Sequence, residues 1–290
     1  GYVLMGLRAA LDTEGEWWVD RAAKRVYFWA PGGKNPEGLV VEAKCRLHVL
    51  TFSAVSNIRV EGFSFRAGGI LVDERSSFIL FKNLKGEYLG HSYERDVAAT
   101  GSLFIRGTGV SVESCELAYG SGSLLTVQGS NNRVVNCFIH DGCYAAVSGD
   151  NTALIALTGR RQLFAWNTVR DSGRDIIGYN GLTESIVEHN DLSRAGHLTH
   201  DLGMTYGHTT DFQNTVFRYN RVHDVLDKKN GKGIYFDHVA MNAIVHHNAI
   251  WNTSACPIKA NNPSYFILVF QNTAWNTVGI STFDHSRRND

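Results

Sequence analysis

Phe164-Ala165-Trp166-Asn167-Thr168-Val169 and Val187-Glu188-His189-Asn190-Asp191-Leu192 share a pattern that decides the fold: an apolar residue three before an Asn and another two after it. The same hexamer returns as Phe217-Arg218-Tyr219-Asn220-Arg221-Val222, Val245-His246-His247-Asn248-Ala249-Ile250 and Val269-Phe270-Gln271-Asn272-Thr273-Ala274. Upstream, Cys137, Cys115, Asn83 and Phe63 take the Asn position, giving nine anchors spaced 20 to 32 residues apart. Three residues before them stand Val60, Leu80, Val112, Val134, Phe164, Val187, Phe217, Val245 and Val269, all apolar. Two residues after them stand Phe65, Lys85, Leu117, Ile139, Val169, Leu192, Val222, Ile250 and Ala274, with Lys85 the exception.

A repeat of this length is one supersecondary unit that cannot bury its apolar face alone, so successive units must stack. The hexamer reads as a strand on each side of a sharp bend. An Asn at the bend is expected to take left-handed backbone angles, and its amide to bond the Asn above and below. The ladder Asn167, Asn190, Asn220, Asn248, Asn272 is thus structural rather than catalytic. A leucine-rich repeat is excluded because its Leu spacing is absent and the periodic positions favour β-branched residues. The sequence therefore predicts an all-β chain: a right-handed parallel β-helix, a single-stranded solenoid of about nine coils.

Each coil needs a third strand after a loop of variable length. Candidates are Leu124–Val127, Ala145–Val147, Ile176–Tyr179, Leu202–Tyr206, Gly233–Asp237, Pro257–Ala260 and Gly279–Phe283. The first 50 residues differ. Gly15–Asp20 and Arg25–Pro31 read as a hairpin capping the open end of the core, and Leu39–Glu42 as a strand starting the first coil. The expected division is thus a hairpin segment over 1–50 and a β-helix over 51–290.

Composition narrows the function. Lys plus Arg and Asp plus Glu each number 28, so the footprint of a nucleic-acid binder is missing. No apolar run approaches the roughly 20 residues of a membrane helix. Five cysteines are an odd number without a CxxC pair, which favours free interior thiols; a Cys115–Cys137 bridge between neighbouring coils is the alternative.

The segment Ala10-Leu11-Asp12-Thr13-Glu14-Gly15-Glu16-Trp17-Trp18-Val19-Asp20, continued by Arg25–Pro31 and Asn57-Ile58-Arg59-Val60-Glu61-Gly62-Phe63-Ser64-Phe65, resembles the leader of bacterial β-helix carbohydrate-active proteins. The resemblance is to glycoside hydrolase family 141, of fucosidases and xylanases, and to β-helix xylosidases; Gly233-Ile234-Tyr235-Phe236-Asp237 and His246-His247-Asn248 fit the group's late coils. It implies a secreted or periplasmic protein acting on a polysaccharide or oligosaccharide, with acidic residues on a groove as catalysts. The Arg-Ile-Lys of polygalacturonases and the Asn-Gly-Gly-Glu and Lys-Ser-Ser motifs of alginate lyases are absent.

Glycoside hydrolysis needs two carboxyls about 5–5.5 Å apart for retention or roughly 6.5–9.5 Å for inversion. Coils stack at about 4.8 Å, so carboxylates at matched positions on adjacent coils suit retention, and those offset diagonally or two coils apart suit inversion. Aligning the third strands sets Asp175, Asp201 and Asp237 on consecutive coils, with Asp201 and Asp237 the expected pair and Asp175 in reserve. Tyr179 and Tyr206 align, as do Trp251 and Trp275; Tyr206 suits substrate contact and the tryptophans suit stability. His200, His208, His238, Tyr179, Tyr206 and Lys259 complete the expected substrate-binding set. No zinc-type spacing joins the histidines, so no metal is assigned, and calcium on the groove carboxylates is left open. Lys232 and Lys259 near Tyr206 carry the alternative, a polysaccharide lyase or uronate epimerase, since elimination needs a base and charge neutralisation. A non-catalytic glycan-binding solenoid is the third reading. No nucleic acid, membrane or subunit partner is expected.

Overall fold

The computed structural model describes residues 6–91, 102–144 and 153–279, and the backbone of 282–283. It forms two compact units, Gly1–Ala43 and Lys44–Asp290. In the first, Trp17–Asp20 pairs antiparallel with Arg25–Phe28 as a hairpin. Leu39–Glu42 is not a strand. The solenoid begins instead at His48–Phe52, a strand that the sequence boundary at residue 50 would have cut.

The second unit is a parallel β-helix. Its three faces are sheets of nine, nine and ten strands among the described residues, and each strand pairs in parallel with its counterpart one coil away. The first face carries the strand before each anchor, such as Leu163–Ala165, Ile186–Glu188 and Asp211–Arg218. The second carries the strand after it, such as Thr168–Ser172, Asp191–Ala195 and Arg221–His223. The third includes Asp175–Gly178, Leu202–His208, Gly231–Asp237 and Ile258–Ala260. The proposed strand Ala145–Val147 lies outside the described residues, as does much of Gly279–Phe283; the third-face strand described before Asp175 is Ala153–Leu157.

The interior is the one the repeat predicts. Val112, Val134, Phe164, Val187, Phe217 and Val245 are buried on the first face, and Leu117, Ile139, Val169, Leu192, Val222 and Ile250 on the second. Each such side chain contributes about 1.5–3 kcal/mol relative to exposure. One coil was misregistered by a residue. Phe81, not Leu80, pairs with Val60 and Val112, so the anchor is Leu84 rather than Asn83. The inward residue two further on is Gly86, not the exposed Lys85. A Cβ at Gly86 would lie 2.5 Å from the Phe65 ring, so glycine leaves the space that this ring fills.

The Asn ladder is present, but its backbone role differs from expectation. The left-handed position is the residue before the Asn: Trp166, His189, Tyr219 and His247 have φ of 61°, 56°, 55° and 55°. The bend therefore throws a bulky ring outward and the amide inward. Trp166 stacks on His189 at 3.9 Å and 2°, and His189 on Tyr219 at 5.0 Å and 13°. These contacts offset a left-handed cost of roughly 1–2 kcal/mol per residue. Inside, the Asn220 amide nitrogen donates to Asn248 Oδ1 and to the Val187 carbonyl, while its oxygen accepts from the Asn190 backbone and side-chain N–H groups. All five cysteines are free thiols, and Cys115 and Cys137 are buried.

Candidate active site

The third face holds the candidate residues. Leu202–His208 and Gly231–Asp237 run side by side, with Leu202 opposite Gly231, Tyr206 opposite Tyr235 and His208 opposite Asp237. That register separates the expected pair. Asp237 faces His208, seven residues beyond Asp201, so the two backbone positions stand near opposite ends of the paired strands. Alignment of motifs across loops had given the right coils and the wrong height along the strand.

Asp175 is displaced too. It is fully buried rather than groove-facing, with Oδ1 accepting the Gly203 amide at 3.2 Å and Oδ2 3.5 Å from Arg174 Nη1. Burial pushes its carboxyl up to about 7, against the opposing charges of Arg174 and Lys232 and the Gly203 hydrogen bond. Asp201 is exposed and accepts from Lys232 Nζ and Asn230 Nδ2.

The groups that do converge surround Asp237. Its Oδ2 accepts the Tyr206 hydroxyl at 2.9 Å, and its Oδ1 accepts Asn261 Nδ2 at 2.7 Å and the His238 amide at 3.0 Å. Partial burial works against the charged form. Hydrogen bonds from Asn261, Tyr206, Tyr235 and the His238 amide outweigh it and hold the carboxyl below its ordinary value. Burial, together with Asp237, pushes both tyrosine hydroxyls well above their ordinary range, so they remain protonated donors. The His208 and His238 rings lie 5.7 Å apart, the Tyr206 and His208 rings 6.4 Å, and Lys259 Nζ 5.6 Å from the Tyr235 ring centre.

The other predicted contacts scatter. Tyr179 is not beside Tyr206; Gly178 is, and Tyr179 is buried against Phe217 at 5.0 Å. His200 sits eight residues from His208, its Nδ1 2.7 Å from the buried Asp227, which also takes the Lys229 and Asn230 amides. That contact clamps a loop. Trp251 and Trp275 stack at 4.6 Å and 8° on the second face, away from this cluster. Among the described residues no three His, Cys, Asp or Glu side chains converge to hold a metal. Among those residues, no helix is long and apolar enough to cross a membrane.

Tyr235 and Asn261 were missed by motif reading, although strand alternation carried the signal. Tyr235 lies two before Asp237 on one strand, and Lys259 pairs with Tyr235, so Asn261 falls opposite Asp237.

No protein-family model matches the chain, and no curated protein sequence matches it. Among solved structures, it is similar to tailspike protein 2 of bacteriophage CBA120, at 12% identity and a TM-score of 0.49, over 80% of this chain and 38% of that one. The Dettilon tailspike protein gives 14% and 0.48, over 78% of this chain and 50% of that one. The surface adhesin PfbA of Streptococcus pneumoniae gives 11% and 0.39, over 82% and 73%. The chain thus spans half or less of the two tailspikes. At such identities these are likenesses of backbone path alone.

Proposed function

We propose that the chain is a polysaccharide-active enzyme, a glycoside hydrolase in which Asp237 is the ionised carboxylate serving as nucleophile or base. The observation that carries this is the cage of donors from Tyr206, Asn261 and the His238 amide, which fixes one carboxylate, charged and partly exposed, at a strand end. A carboxylate so held cannot protonate a leaving group. Imidazole is the side chain suited to passing a proton near neutral pH, and His238 and His208 flank the site for that role. The resemblance of the leader to β-helix glycosidases supplies the substrate class and an extracellular location, and a monomer is proposed beside them.

Elimination fits less well. A uronate-binding site needs cations free to meet the substrate, whereas here Arg174 and Lys232 already lie against the carboxyl groups of Asp175 and Asp201. Lys232, on which that reading leaned, is buried and committed to Asp201.

The test is incubation of the chain and of Asp237→Asn with a glycan panel, with product masses read directly. Hydrolysis adds one water to the cleaved pieces and should vanish in the variant. Fragments lacking that water would replace hydrolase by lyase. Full activity in Asp237→Asn, or binding without product, would remove the assignment.

A further inference from the structure

Asp175 and Asp201 stand at other heights along the third face than Asp237, yet each is linked towards it through a cation and a tyrosine. In one arm, Arg174 lies 3.5 Å from the Asp175 carboxylate and 5.3 Å from the centre of the Tyr206 ring, whose hydroxyl donates to Asp237. In the other, Asp201 accepts from Lys232 Nζ, which sits 4.6 Å from the centre of the Tyr235 ring; the Tyr235 hydroxyl oxygen accepts from Asn261 Nδ2, which also donates to Asp237, and Tyr235 is among the groups that lower the Asp237 carboxyl. Two separate coils thus each set a carboxyl group, a cation and an aromatic face in line towards Asp237.

The consequence works through Lys232, against the direct repulsion by which Asp201 raises the Tyr235 hydroxyl. Lys232 is 2% exposed, and a buried ammonium is costly unless its counter-charge is held against it. Asp201 supplies that charge from the solvent side. A cation on an aromatic face is drawn to the ring's electrons, and by withdrawing them it makes the phenolic O–H a stronger donor. Donors on a carboxylate favour its charged form.

We propose that Asp175 and Asp201 are positioning residues, which hold Arg174 and Lys232 against Tyr206 and Tyr235 and thereby keep Asp237 ionised and fixed in orientation. The catalytic meaning of this rests on Asp237 being the reacting carboxylate; its effect on Asp237 titration does not. The other groups around Asp237 are Asn261 and Lys259 one coil on, His208 across the strand and His238 next in the chain.

The deciding experiment is an NMR titration of the intact chain carrying carboxyl-13C aspartate, with the Asp237 signal assigned by its loss in Asp237→Asn. Asp201→Asn and Arg174→Met should each raise the Asp237 midpoint by roughly 0.5–1 pH unit. Lys232→Met should match Asp201→Asn, and their double variant should go no further than either. Combining variants from the two arms should add. The acid limb of the kcat/KM profile should move by the same amount. An unmoved Asp237 midpoint in Asp201→Asn and Arg174→Met, with unfolding midpoints showing both folded, overturns the proposal. Should Lys232→Met fail to fold, the exposed Asp201→Asn decides for that arm. Shifted titrations with no product from any glycan would leave the arms standing and remove the hydrolase.

Discussion

Replacing Asn220 by Ala should be among the most damaging single changes in the solenoid. Its side chain makes four hydrogen bonds, two donated and two accepted, between 2.9 and 3.1 Å. Alanine at this position leaves the Asn190 backbone N–H, on a residue only 1% exposed, without its acceptor. It also strips one acceptor from the Asn190 amide and one donor from the Val187 carbonyl. At about 1–3 kcal/mol for each buried group left unsatisfied, the three together come to roughly 3–9 kcal/mol. Asn272 also makes four bonds, accepting two from Asn248 and donating to Val245 and Phe270, but it is only half-buried. Water can replace what Asn272→Ala removes, so that variant should lose about 1 kcal/mol or less. Urea unfolding followed by circular dichroism compares the two against the parent. Equal losses, or a loss under 1 kcal/mol for Asn220→Ala, would show that the ladder merely fills space.

Tyr206→Phe removes a donor to a charged acceptor and should lower kcat/KM at neutral pH by roughly ten- to a hundredfold, with a larger loss as pH falls into the ordinary carboxylate range, where Asp237 then protonates sooner; a flat pH dependence of the loss would contradict this. His223 is held by Asp191 at 2.9 Å and Asp224 at 2.8 Å, and although burial opposes its charge, these partners raise its pKa. A raised imidazole contributes stability that is complete below its unfolded value of about 6.5 and fades as pH rises through the higher folded value. The Tm difference between parent and His223→Gln should therefore shrink from pH 6 upward, and a difference that grows would reverse the assignment. Gly129 has φ of +71°, and a Cβ there would lie 2.3 Å from the Gly107 carbonyl oxygen. Gly129→Ala should cost more than about 1 kcal/mol, more than left-handed strain alone demands, because backbone must move; a Tm within a degree of the parent would refute the clash.

The fold was legible in the sequence because it depends on alternation within each strand, a local property that residue spacing records. Val169, Leu192, Val222 and Ile250 had to face inward whatever the loops between them did. The coil of Leu84 slipped by one because a matching Asn83 outweighed the alternation of Phe81 and Gly86. Which residue of each bend turned left-handed was not legible either, since the choice of Trp166 over Asn167 rewards amides bonded across coils and rings stacked outside. The site lay further out of reach. The height of Asp201 against Asp237, the burial of Asp175 and Tyr179, and the cations braced on Tyr206 and Tyr235 all follow from the register between coils joined by loops of unequal length. A linear sequence records distance along the chain, whereas catalysis depends on distance across it, and only the stacked coils convert one into the other.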